Sequence, residues 1–83
     1  MEERLTLGTY FKQERERRGI DLKQIEERTK ISSQMLIFLE EDRLDLLPPR
    51  AFVRGFLLTI ARDFNLDAEE LLRFMEAAYR GQK

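Results

Sequence analysis

The sequence predicts an all-α fold, a bundle of five helices. Three observations lead there. Leu, Ile, Arg and Glu dominate and β-branched runs are few, a composition that favours helix. Both prolines stand together at Pro48 and Pro49, so they interrupt the chain at one place only. Caps, apolar periodicity and stops bound five separate segments. With 83 residues, 42% of them hydrophobic, the chain has material for one domain with a single core.

The first helix is expected over residues 7–18, with Thr6 as N-cap and Gly19 as a left-handed stop. Leu7, Tyr10, Phe11 and Glu14 share one side of it, so its apolar face is narrow. The second follows a cap at Asp21, where Gln24 three residues on completes a capping box, and it ends near Thr29. Leu22 and Ile25 face inward, and Ile31, in the short Lys30-Ile31 turn, plugs the gap to the next helix. Ser32 caps a third helix over residues 33–41, with Leu36 and Leu39 in the core. Residues 42–47 read as a loop. Pro49 can begin a fourth helix running to residue 64. A fifth runs from a cap at Asp67, with Glu70 three residues later, to about residue 80, where Gly81 ends it and residues 81–83 fray.

Composition narrows the chemistry. There is no Cys and no His, which removes disulfides, Cys/His metal sites and the nucleophile–base pairs built on them. The acid pairs Glu26-Glu27, Glu40-Glu41 and Glu69-Glu70 point to different sides of their helices, and no Gly-rich phosphate loop exists. Neither an enzyme nor a cofactor is expected. The chain holds no apolar run of about 18 residues, so it is not expected to cross a membrane itself. Its charged start, residues 1–4, does not read as a secretion signal.

The second and third helices are short and separated by about three residues, the spacing of a helix-turn-helix. Such a pair crosses steeply and needs helices behind it, and the first and fourth are available. The segment from Leu22 to Glu40 resembles the helix-turn-helix of phage-repressor-type DNA-binding domains, whose second helix enters the major groove. That likeness makes Lys30, Ser33 and Gln34 candidate nucleic-acid contacts, helped by Arg15, Arg17 and Arg18, with Ser32, Ile37 and Phe38 close by. Ser32 and Ser33 read first as helix caps, with base readout as the alternative. Charge argues against DNA as partner. Lys plus Arg number 15 against 16 acids, and residues 20–45 carry four bases against seven acids, a local balance of −3. Between Ser32 and Asp42 there is no Lys or Arg, and Glu40, Glu41 and Asp42 would repel phosphate.

On the fourth helix, Val53, Leu57, Ile60, Ala61 and Phe64 form one core arc at about 100° per residue. Phe52 and Phe56 sit on its flank, near Thr59 and Asp63, roughly 100° from the arc's centre by the same period. Apolar stripes usually widen a core, and Phe74 and Met75 of the fifth helix are placed to cover this one. The alternative is an exposed pair of aromatic anchors. Gly55 weakens the helix and so implies a close helix approach or room for a neighbouring ring. Arg50, Arg54 and Arg62 lie on the opposite and lateral sides, with Arg54 able to reach an acid in the 42–45 loop.

A set of motifs then falls in order. They are Leu7-Gly8-x-Tyr10-Phe11, Arg15-x-x-Arg18-Gly19, Glu27-Arg28-Thr29-Lys30-Ile31-Ser32, Leu39-Glu40-Glu41 and Leu66-Asp67-x-Glu69-Glu70-Leu71. The most specific is Leu47-Pro48-Pro49-Arg50-Ala51-Phe52-Val53-Arg54-Gly55-Phe56-Leu57. Over residues 5–72 the chain resembles the N-terminal cytoplasmic domain of the RodZ family of bacterial rod-shape proteins. The resemblance implies a longer protein, in which this helical domain is followed by a linker, one membrane span and an extracytoplasmic domain. It places the domain on the cytoplasmic side of the bacterial inner membrane. There it docks on the actin-like filament protein MreB and couples it to the wall-synthesis machinery. It also implies that Phe52 and Phe56 carry the docking contact; on that reading Arg50 and Arg54 form its rim, and Thr59 and Asp63 lie beside it on the flank. Relatives often have Tyr where this chain has Phe56, and usually a polar and a small residue at the positions of Ile37 and Phe38.

Overall fold

Capping side chains decide where four of the five helices begin. The computed structural model describes residues 5–81; the charged residues 1–4, and Gln82 and Lys83 of the expected frayed end, lie outside them. Five α-helices follow one another: α1 (Leu7–Arg17), α2 (Leu22–Thr29), α3 (Ser33–Glu40), α4 (Arg50–Phe64) and α5 (Ala68–Arg80). Among the described residues there is no strand. The capping box at Asp21 forms as expected: Asp21 Oδ1 accepts from the Gln24 amide at 2.9 Å and Gln24 Oε1 accepts from the Asp21 amide at 2.8 Å. Thr6 makes a second box with Thr9, a Thr–Thr version that the usual Glu or Gln signature does not reveal. Ser32 and Asp67 cap α3 and α5.

Three boundaries differ from expectation. Helices α1 and α3 each stop one residue early, with Arg18 and Glu41 as their C-caps. Pro49 is the N-cap of α4 rather than its first residue, because its ψ of 150° is extended. The 42–47 loop contains a 3-10 turn (Leu44–Leu46).

The core is one cluster. Leu7, Phe11, Ile25, Leu36, Leu39, Val53, Leu57, Ile60, Leu71 and Met75 are buried, and Ile31 plugs the α2–α3 gap. Helix α1 lies against α3 and α5, while α2 lies against α3 and α4. So α1 backs one arm of the helix-turn-helix and α4 the other. Phe64, assigned to the core arc by periodicity, is only half-buried, and the Arg28 guanidinium lies over its ring.

Polar contacts lock α1 to the end of α3. Asp42 turns the chain with a left-handed φ of 58°, and this aims its carboxylate at the start of α1. There it accepts from Thr6 Oγ1 at 2.6 Å and from the Gly8 amide at 2.8 Å. It thereby satisfies a helix-start N–H that has no partner within the helix. At the other end of α1, Arg15 makes a two-pronged pair with Glu40, 2.6 Å from Nε to Oε2 and 3.2 Å from Nη2 to Oε1. Its Nη1 donates to the Ile20 carbonyl at 2.8 Å, bracing the α1–α2 turn. Both side chains are nearly enclosed, with 12% and 9% of their surface exposed. Between the two clamps Gly8 touches the main chain of α3. A methyl group there would meet the Leu39 carbonyl oxygen at 2.6 Å and that of Glu40 closer still.

Gly8→Ala should therefore lower the unfolding free energy by about 1–3 kcal/mol, the range for overpacking against rigid backbone. Arg15→Met strands the enclosed Glu40 carboxylate and should cost about 3 kcal/mol. Arg43→Met, which breaks only the exposed pair with Asp45, should leave the urea midpoint where it is. Equilibrium urea denaturation reads all three.

Candidate functional site

The sequence marks two surfaces, the repressor-like face of α2–α3 and the aromatic flank of α4. In the fold they meet along one open groove of about 640 Å³. Residues 29–32 and Met35 form one bank; Ala51, Phe52, Gly55, Phe56 and Thr59 form the other. The two aromatics play unequal parts. Phe56 is half-buried and packs on the core as the foot of the groove, whereas Phe52 stands out with 61% of its surface exposed. The expected cover is absent. Phe74 stacks instead on Tyr10, with ring centres 4.6 Å apart, and Met75 is inside the core.

Gly55 also departs from expectation. No helix comes close to it and no ring occupies its space; an added Cβ would meet nothing within 4 Å. Thr59 lines the groove, and Asp63, one turn farther along the same flank, accepts from Arg62 Nε at 3.2 Å. The arginines go elsewhere. Arg50 donates to Glu76 at 2.6 Å and lies over the Tyr79 ring, which ties α4 to α5. Arg54 is exposed about half a turn round the axis from both aromatics. It does not reach the 42–45 acids, since Asp42 is bonded to Thr6 and Gly8, and Asp45 to Arg43. Lys30 is the cation that borders the aromatics, held there as the left-handed C-cap of α2 with a φ of 66°.

Internal bonds take up part of the repressor-like face. Ser33 Oγ donates to Glu26 at 2.6 Å and Ser32 caps its helix, leaving Gln34 exposed. Arg15 is enclosed with Glu40, and both Arg17 and Arg18 donate to Glu14, at 2.7 and 2.6 Å. The Glu14 carboxyl is held below its ordinary range, first by the Arg17 hydrogen bond and then by Arg18. The acid triplet needs correction as well. Glu40 and Asp42 do not stand free to repel phosphate, because one pairs with Arg15 and the other caps α1; Glu41 is the exposed member. Ile37 is at the surface and Phe38 is half-buried.

Among the described residues no group of His, Cys, Asp and Glu is arranged to hold a metal ion. No helix among them is long and apolar enough to cross a membrane. Sequence reasoning missed Lys30 as a neighbour of the aromatics, because the two banks come from segments some twenty residues apart and only the packing of α2 on α4 joins them.

Residues 10–71, well over half of the chain, match the family model of a helix-turn-helix domain. No curated protein and no solved structure matches the chain.

Phe52→Ala should change stability by under about 0.5 kcal/mol, as for other exposed positions. Phe56→Ala, which uncovers part of the core, should cost about 1–3 kcal/mol. Gly55→Ala should add about 0.5–1 kcal/mol, since the helix gains and nothing clashes. The depressed Glu14 pKa contributes stability that is present above the unfolded glutamate value, about 4.3, and is lost as pH falls through the folded value. Glu14→Gln should flatten that acid limb in a series of denaturation curves.

Proposed function

The chain belongs to the helix-turn-helix domain family, and we propose that this member is a protein adaptor rather than a DNA reader. It docks on the actin-like filament protein MreB and links it to the cell-shape and wall-synthesis machinery. One observation carries the reading: Phe52 is 61% exposed at the mouth of an apolar groove. An aromatic ring left in water beside other apolar surface gains most from being covered by a partner, and such rings dominate binding hot spots. The resemblance to the RodZ family over residues 5–72 supports MreB as that partner, because its docking aromatics fall on Phe52 and Phe56.

In this mechanism Phe52 enters a pocket of the filament protomer and Phe56 supports it from below. Phe56 has no hydroxyl, so its contact is apolar. Thr59 and Asp63 continue the contact along the same flank. Arg50 and Arg54 lie off the groove, so they act through longer-range charge, on encounter rate more than on affinity. The self-pairing of Arg15, Arg17 and Arg18 supports the same choice, since phosphate binding draws on unpaired cations. On this reading the domain belongs to a longer protein with one membrane span and works on the cytoplasmic side of the bacterial inner membrane.

Co-sedimentation with MreB filaments tests the proposal. Phe52→Ala should weaken binding by about tenfold or more while the domain stays folded. Retention of parental binding by both Phe52→Ala and Phe56→Ala would defeat the docking site. A sequence-specific mobility shift on duplex DNA at moderate salt would favour a nucleic-acid reader instead.

A further inference from the structure

Gly55 is the glycine inside a helix whose presence the fold does not explain. Gly8 is needed because α3 backbone touches it, and Gly19 because its φ is 67°. Gly55 has neither reason. It lies inside the 15-residue helix α4, outside the left-handed region, and a Cβ there would meet nothing within 4 Å. A glycine inside a helix weakens it relative to alanine. Its bare main chain is exposed in the groove, bordered by Phe52, Phe56 and Thr59. Across from it stands Lys30, the one charged residue lining the groove, exposed and with no ion pair among the described residues.

Resting on the adaptor reading above, we infer that the groove takes an acidic, apolar segment of the filament partner. That segment lies directly on the α4 main chain at Gly55 and sets a carboxylate against Lys30. The missing side chain provides clearance for atoms that belong to the other protein. Chemistry narrows the occupant. A phosphate backbone would make no use of Phe52, Ile31 and Met35, while a wholly apolar segment would leave the Lys30 charge desolvated and unpaired. A carboxylate beside apolar side chains answers both banks.

Co-sedimentation of the whole chain with purified MreB filaments tests this, with circular dichroism confirming that each variant is folded. Gly55→Leu fills the clearance and should weaken binding by about tenfold or more. Gly55→Ala should weaken it less, while raising the domain's own melting temperature. Lys30→Glu should lose most of the binding and Lys30→Arg should keep it. Parental binding by Gly55→Leu and Lys30→Glu, alongside loss of binding by Phe52→Ala, overturns this inference and leaves the adaptor reading standing. Parental binding by Phe52→Ala as well overturns both.

Discussion

The architecture depends on the bracket that fastens α1 to the end of α3. Asp42, bent into a left-handed conformation, holds the first turn of α1, and Arg15 on the last turn of α1 holds Glu40. Gly8 lets the two main chains meet between these points. Short helices of eight residues, such as α2 and α3, are marginal on their own, so they need support from outside. The bracket supports α3 with α1, and α4 then supports α2. With its core face committed to that task, α4 keeps one flank free, and Phe52 stands on it.

The bracket also uses one of the arginines of α1. A repressor-like fold would be expected to present its arginines to phosphate. Here Arg15 is enclosed by Glu40, while Glu14 accepts from both Arg17 and Arg18. Arg15, enclosed in holding the fold, is a poor counterion for a nucleic acid, while Arg17 and Arg18 share Glu14 at the surface of α1. The cation on the groove is Lys30, displayed by the turn of the helix-turn-helix itself. The turn that in a DNA reader orients a recognition helix forms here one bank of the cleft beside the aromatic flank. On the adaptor reading, fold and function separate at this point, as they often do in widely reused architectures.

Much of this was legible in the sequence because helix starts, stops and apolar periods are local. Asp21 with Gln24, Ser32, Asp67 and Gly19 each announce a boundary within four residues of themselves. The division of α4 into a core arc and an aromatic flank follows from its period alone, and Phe52 is the exposed ring of that flank. What escaped was non-local. Nothing near Arg15 signals Glu40, 25 residues away, or shows that Asp42 reaches back to Gly8. The acid triplet therefore looked like a repulsive surface when two of its members are fastenings. The helical period puts Arg50 and Arg54 on the opposite and lateral sides of α4, and there they are, turned toward α5 and toward solvent. Gly55 looked like a packing glycine; only the open space above it shows that its own chain does not use it.

The central claim is that the working surface is the α4 groove and not the α3 face. Amide NMR of the isotope-labelled chain, titrated in parallel with polymerisation-deficient MreB and with duplex DNA at moderate salt, tests it most directly. The account predicts that MreB shifts or broadens amides over residues 51–59 and 29–32, and that DNA leaves residues 33–38 unmoved. Perturbation centred on residues 33–38 by DNA, with residues 51–59 silent toward MreB, would contradict it.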